Sequence, residues 1–273
     1  MIMLFALDKN GSRVYIENAH VKHEYFCPIC GEQMVLKKGQ IPIHHFAHPL
    51  HSKCTDSWNY EKMSEWHMNW QGRFPLDTQE IVKVKDGQKH RADVLLEDRK
   101  VVFEFQHSPL SCEEFDDRNS FYNSLGYKVI WIFDLSEQFE NGMIENHISN
   151  VFLWSRPKST FNNFNPKENN DVEVYFQIQV AADNNETVAH IKATIEAGYE
   201  IHSEESKVYF EEQKNDKIQL IKITQASKDG FKRFETDRFL YGEKDIVQRF
   251  CSSNDTKENT VKELRDSKLR NHS

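Results

Sequence analysis

The chain has 273 residues, a formal net charge of −8 and 38% apolar residues. That length holds one large domain or two modest ones, and no apolar run reaches the roughly 20 residues needed to cross a bilayer. Five cysteines without a secretion leader fit a reducing, cytoplasmic compartment, where closely spaced cysteines read as metal ligands rather than a disulfide. Overall acidity argues against a polyanion spread over the whole surface. The charge is uneven, though. From His20 to Cys54 there are four lysines, two glutamates and six histidines, so the acidic surplus lies outside that stretch. Attraction to phosphate would come from local patches.

In chain order, residues 1–19 read as a short hairpin, with Leu4, Phe5 and Ala6 leading into the Asp8–Gly11 turn and Val14, Tyr15 and Ile16 returning. Then comes Cys27-Pro28-Ile29-Cys30-Gly31, a knuckle in which two thiolates three apart grip one ion and the glycine lets backbone N–H groups face sulfur. His45 and His48 follow with the same spacing. Cys27, Cys30, His45 and His48 supply four ligands for a closed, tetrahedral, structural Zn²⁺ site, with His44 and Cys54 as alternatives for one position. Few large apolar residues surround them, so a metal is a source of folding energy here. A redox Cys-x-x-Cys is disfavoured, because no thioredoxin-like strand and helix flank it. Lys37, Lys38 and Lys53 are candidate nucleic-acid contacts in this segment.

Residues 57–74 predict a helix, with Ser57 as N-cap, Gly72 near its end and Trp58, Met63, Trp66 and Trp70 on an apolar face. Glu61 and Glu65 share one flank and His67 and Gln71 another. Thr78–Lys85 alternates as an edge strand and ends at Asp86-Gly87. Residues 90–106 are the stretch that carries chemistry. A strand from Ala92 to Leu96 passes through Glu97-Asp98-Arg99-Lys100 into a second strand, Val101–Gln106. Side chains alternate with period two, so Glu104 and Gln106 project together while Val101, Phe103 and Phe105 anchor the other face. If the turn is a hairpin turn, Asp93 lies near them across the ladder. Oxygen ligands of this kind suit a hard cation, Mg²⁺ or Mn²⁺. Beyond it, Ser111 opens a helix that stops at Gly126, and Tyr127–Phe133 is a near-continuous apolar run, as in a strand covered on both faces.

Asp93 followed by Glu104-x-Gln106 resembles the PD-(D/E)XK nuclease superfamily. The wording Arg91-Ala92-Asp93-Val94 and Glu104-Phe105-Gln106-His107-Ser108, behind a Cys-Pro-x-Cys and a His-Phe-Ala-His, is closer to the CoiA-like branch (competence protein CoiA). Ser64 and His67 match a Ser-x-x-His pattern of that branch, and Arg118 matches its helical arginine. The resemblance implies an α/β fold: a restriction-endonuclease-like core (α-β-β-β-α-β), an N-terminal zinc-finger-like module and a small α+β C-terminal appendage. Beyond the core the residues themselves read as a linker over 161–171, a strand over 172–181, a helix over 187–197 and a strand pair over 207–211 and 218–224, and then a charged, apolar-poor tail. The boundaries expected are 1–55 for the module, 56–155 for the core, 170–251 for an accessory domain and 252–273 for the tail. The resemblance also implies DNA hydrolysis in foreign-DNA processing, either competence and recombination or anti-phage defence. Asp93 and Glu104 would hold the metal, with Gln106 orienting water and Glu65 (Glu61 second) assisting from the helix. His90 and Arg118 join the lysines as candidate nucleic-acid contacts, with an intrahelical pair to Glu114 as the other role for Arg118. A homodimer or a protein partner is compatible with this. Two other classes remain open: a non-catalytic DNA-binding module that loads a partner, and a zinc-ribbon adaptor in which Asp93, Glu104 and Gln106 do not converge.

Overall fold

The computed structural model describes residues 3–39, 44–54, 64–148, 150–178, 219–227 and 231–251. The chain divides into two compact units, Met1–Leu95 and Leu96–Ser273.

The first unit begins with β1 (Phe5–Asp8) and β2 (Arg13–Tyr15), followed by β3 (Tyr25–Phe26), β4 (Gln33–Lys37) and β5 (His45–Ala47). They form a five-stranded sheet in the order β2-β1-β3-β4-β5. The β1–β2 turn forms because Asp8 Oδ1 accepts from the backbone N–H groups of Asn10 (2.8 Å) and Ser12 (2.9 Å). The sheet curls until Met3 bridges Phe46. Met3, Ala6, Ile16, Tyr25, Met34 and Phe46 fill its small interior beside Cys27 and Cys54. Helix α1 (Glu65–Gln71) follows, then β6 (Gln79–Lys85) and β7 (Gln88–Leu96). These two strands are antiparallel and turn through Asp86-Gly87, both left-handed at φ +50° and +80°, as a two-residue hairpin requires. Lys89 Nζ donates to the Ile29 carbonyl at 2.7 Å, and the buried Glu80 accepts from the N–H groups of Leu4 and Phe5 at 3.3 Å. The hairpin and the curled sheet are thereby tied together within this unit.

The second unit runs β8 (Val101–Gln106), α2 (Cys112–Ser124), β9 (Lys128–Asp134), α3 (Ser136–Glu140), β10 (Ile144–Ile148), β11 (Val151–Trp154), β12 (Val172–Gln177), β13 (Gln219–Ala226), β14 (Arg233–Gly242) and α4 (Glu243–Cys251). Its strands order as β10-β11-β14-β13-β12-β9-β8. Strands β8, β9 and β12 are mutually parallel, with α2 crossing between the first two, and the rest are antiparallel. Ser111 caps α2 by accepting from Glu114 N at 3.1 Å, and Gly126 takes φ +81° just beyond its end. Strand β8 is buried on both faces: Phe103 meets Phe250 of α4, and Glu104 meets Arg118 of α2.

Along the chain the elements run α1-β6-β7-β8-α2-β9, the order expected from the sequence. Three expectations change. The strands after residue 170 are no separate appendage: β12 pairs with β9 over six residues and β13 and β14 continue the same sheet, because Val172–Gln177 is buried at every position and needs cover on both faces. Residues 161–171 are not a bare linker, since Phe161 and Phe164 pack edge-on against Phe115 of α2. Helix α1 is capped by Ser64, whose side chain accepts from His67 N. The expected helical residues 57–63, the helix over 187–197, the strand over 207–211 and the tail from 252 lie outside the described residues. Among the described residues no helix is long and apolar enough to cross a membrane.

Glu173 of β12 is the electrostatic pivot of the second unit. It is contacted by Lys128 (2.5 Å), Lys222 (3.0 Å) and Arg249 (3.4 Å) and accepts from the Tyr175 hydroxyl at 2.8 Å. Burial alone would raise its pKa; the three cations outweigh that and hold it at about 2. A folded-state pKa below the unfolded value contributes stability that is present above the unfolded pKa and lost as pH falls through the folded one. Replacing Glu173 with Gln should cost on the order of 3 kcal/mol at neutral pH and flatten the loss of stability between about pH 4.5 and about pH 2. Urea unfolding across that range checks it; an unchanged slope would contradict the assignment.

Candidate active site and metal cluster

Between β3 and β4 the chain turns through Cys27-Pro28-Ile29-Cys30-Gly31. Gly31 takes φ +75°. Its N–H donates to the Cys27 carbonyl at 2.9 Å, and Ile29 N and Glu32 N point at the sulfurs of Cys27 (3.3 Å) and Cys30 (3.4 Å). Such a knuckle stabilises thiolates through backbone donors. Four ligand atoms, from Cys27, Cys30, His48 and Cys54, lie within 4.8 Å of one another. Cys27 Sγ is 4.0 Å from Cys54 Sγ, and Cys30 Sγ is 3.3 Å from His48 Nε2. The edge of a tetrahedron with metal–sulfur bonds of about 2.3 Å is about 3.8 Å, so this Cys₃His set fits zinc. All five cysteines of the chain are free thiols. Burial pushes the Cys27 thiol up to about 12, backbone N–H groups of Cys30 and Ile29 pull it down, and the neighbouring cysteines raise it. A metal must therefore displace protons as it enters.

The fourth member of this cluster is Cys54, one of the alternatives to His45 that the sequence offered. His45, Phe46 and Ala47 form β5, and residues three apart on an extended chain face opposite sides. Phe46 is in the core, so His48 shares its side and His45 does not. His44 instead sits 3.2 Å from Glu17.

In the first unit, Asp93 of β7 is 3% exposed and His67 of α1 is 4% exposed. His67 Nε2 stands 3.1 Å from Asp93 Oδ1. His67, Trp70 and Gln71 are the buried residues of α1, spaced three and four apart on one helical face. Gln71 Nε2 donates to the Asp93 carbonyl at 3.2 Å, and Gln79 Nε2 donates to the carbonyls of Gln71 (2.9 Å) and Phe74 (2.8 Å), so two buried amides fix the helix against the strand. Beside them Arg91 lies 3.6 Å from Glu80. Burial raises the Glu80 pKa, Arg91, the Leu4 N–H and His67 lower it, and Asp93 raises it. Glu65, expected to assist at the metal, is exposed. Two residues along a helix point about 200° apart, so Glu65 cannot share the side of His67.

In the second unit, Glu104 is fully buried and Gln106 is 1% exposed. Arg118 NH1 donates to Glu104 Oε2 at 3.1 Å, and Gln106 Nε2 donates to the Ser108 carbonyl at 2.9 Å. Arg118 also lies over the Trp131 ring at 5.9 Å. It is therefore turned inward, neither presented to a phosphate nor paired with Glu114, which is taken up by the Ser111 cap. Its spacing could have shown this, because Phe115, Arg118 and Tyr122 recur three and four apart and all are buried. Of the other candidate nucleic-acid contacts, Lys37 and Lys53 are exposed and His90 is half-buried on β7. Lys38 is committed to the carbonyls of Glu17 (2.9 Å) and Ala19 (3.0 Å). His67 is the site residue that the sequence pattern flagged without a role; its signal was the shared face with Trp70 and Gln71.

Comparison with known protein families first gives a class, a nuclease-like domain, matched over residues 79–205 by the model described as competence protein CoiA, nuclease-like domain. The model described as competence protein CoiA, N-terminal domain, matches residues 9–57, which carry Cys27, Cys30, His48 and Cys54. The chain belongs to the CoiA-like family. No curated protein and no solved structure matches it significantly.

The ligand exchange is directly testable. Cys54→Ala should lose bound zinc, as measured by elemental analysis of the purified chain, and unfold more readily. His45→Ala should retain about one equivalent per chain. The opposite pattern would restore His45 as ligand.

Proposed function

We propose that the chain is a metal-dependent nuclease that hydrolyses phosphodiester bonds of DNA in the processing of foreign DNA, with Asp93 and Glu104 as candidate ligands for Mg²⁺ or Mn²⁺. The observation that carries this reading is the state of the two carboxylates. Each is withdrawn from solvent and faced by a basic side chain, Asp93 by His67 and Glu104 by Arg118, in consecutive strands of a domain matched as nuclease-like. The chain passes between those strands through a short turn, Glu97–Arg99, and a left-handed Lys100 at φ +53°. Carboxylate oxygens are the donor set a hard divalent cation takes.

A divalent ion held there supplies an acidified water and offsets charge on the phosphate. The residues themselves do the rest. Gln106 is neutral and cannot titrate, so it can orient water but adds no positive charge. That leaves Arg118 as the cation facing Glu104; were Glu104 to bind a metal, the guanidinium would be free to meet a phosphate oxygen in its bidentate manner. His67 holds Asp93 in position through α1, with Gln71 and Gln79 as braces. The zinc cluster supports the same hairpin through Lys89 and Glu80.

A second reading, a DNA-binding module without catalysis, draws on the same burial, since a carboxylate closed off by arginine is also a way to build a core. The two part in one assay. The nuclease reading expects plasmid cleavage with Mg²⁺ or Mn²⁺, none with EDTA, and a drop of about 10²-fold or more for Asp93→Ala and Glu104→Ala. No cleavage under any metal, with a DNA band shift unaffected by Asp93→Ala, would establish the binding module instead.

A further inference from the structure

We propose that the second unit binds a nucleoside monophosphate in a pocket at the starts of its three parallel strands, β8, β9 and β12. Arg99, Lys100, Lys128 and Arg249 meet the phosphate and Asn123 the base. The site is separate from Glu104 and Gln106, which lie further along β8 and take no part in its wall. It stands whether or not the chain cuts DNA.

The pocket measures about 630 Å³, inside the range of roughly 300–1,000 Å³ that small-molecule sites occupy and more room than a bare anion needs. Val101 opens β8, Lys128 opens β9 and Asp171 precedes β12, so three chain segments converge on it. Arg99, Lys100, Lys128 and Arg249 line it together with two acids, Asp98 and Asp171, both exposed. Four cations facing two acids make a basic spot on a chain whose formal net charge is −8. Two of the cations are held in place from behind. Glu173 takes Lys128 at 2.5 Å and Arg249 at 3.4 Å, and Arg249 also donates to the Tyr175 hydroxyl at 2.7 Å. Because Lys222 shares that carboxylate at 3.0 Å, one negative charge answers three positive ones, with Asp237 adding its attraction to Lys222 and Arg249. Lys128 and Arg249 remain 33% and 27% exposed. An ammonium has three N–H donors and a guanidinium five, more than these contacts use.

Arg99 and Lys100 complete the wall from the turn before β8. Lys100 is left-handed at φ +53°, pairs with the exposed Glu97 and lies 4.9 Å from the centre of the Tyr127 ring. Exposed pairs of this kind contribute little, so Lys100 can turn from Glu97 to a doubly charged phosphate at small cost. A phosphate monoester offers three acceptor oxygens to such a set, and arginine takes them in pairs. Charge alone would admit any anion. Asn123 of α2 narrows the choice: it lines the pocket, and its Oδ1 is buried with no hydrogen-bond partner among the described residues. A buried acceptor left in that state is costly. A phosphate oxygen, itself an acceptor, cannot satisfy it, whereas the exocyclic amine of adenine or cytosine can. The half-buried Phe250 ring in the same wall gives the base an apolar surface to rest on.

The test is isothermal titration of the full chain with deoxyadenosine 5′-monophosphate, without added Mg²⁺ or Mn²⁺. One nucleotide should bind per chain, and inorganic phosphate should compete with it. Deoxyadenosine, which lacks the phosphate, should bind about 10²-fold more weakly. Lys100→Asn, which suits the left-handed backbone and removes the charge, and Arg99→Ser should each weaken the nucleotide about tenfold. Asn123→Ala should bring deoxyadenosine monophosphate down to the affinity of thymidine 5′-monophosphate, whose base has no exocyclic amine. Thermal unfolding of each variant separates a lost fold from a lost contact. No heat of binding at millimolar nucleotide, charge variants that bind as the wild type does, or equal affinity for the nucleotide and deoxyadenosine would overturn the assignment. So would displacement of the nucleotide by a short oligonucleotide without terminal phosphates, which would make the pocket a seat for a DNA backbone instead.

Discussion

The structure is governed by the cost of keeping a carboxylate away from water. Glu104 is wholly buried, and an ionised group in that position persists only if something of opposite charge compensates it. Arg118 provides that from α2, at 3.1 Å. Asp93 obeys the same rule with His67, and Glu173 obeys it with Lys128, Lys222 and Arg249. Helix α2 must therefore lie on the face of β8 that carries Glu104, and α4 is left to cover Phe103 on the other face. The packing of the second unit follows from where one acid had to be neutralised.

The same constraint shapes the chemistry. Removing one partner of a buried ion pair costs on the order of 3–5 kcal/mol, so on the proposed nuclease reading a cation bound by Glu104 would compete with Arg118 for that carboxylate. The guanidinium so released would be available to a phosphate, the role the family resemblance suggests for the helical arginine. The Cys₃His cluster has a different place, beside a small curled sheet whose interior is thin, where a bound metal would add folding energy.

Much of this was legible in the sequence. Period-two alternation put Glu104 and Gln106 on one side of β8, the Asp86-Gly87 pair marked a hairpin, Ser111 and Gly126 bounded α2, and the Cys27–Cys30 spacing identified the knuckle. What the sequence hid was long-range. The choice between His45 and Cys54 depends on which side of β5 each histidine takes, and a three-residue strand carries too little periodicity to tell. The covered face of β8 was obscured because a strand reading alone cannot say which helix lies over it. Val172–Gln177 looked like an alternating strand of a separate domain; only its pairing with β9 shows that both faces are closed. Glu173 in that strand would suggest a wet face to any pattern reader, and its three cations come from distant parts of the chain.

The most direct test of the exchange at Glu104 is anomalous diffraction from crystals of the chain soaked in Mn²⁺. The account predicts a manganese peak bonded to the Glu104 carboxylate, with the Arg118 guanidinium moved off Glu104. Crystals that take up manganese elsewhere, or not at all, while Arg118 stays on Glu104, would contradict it.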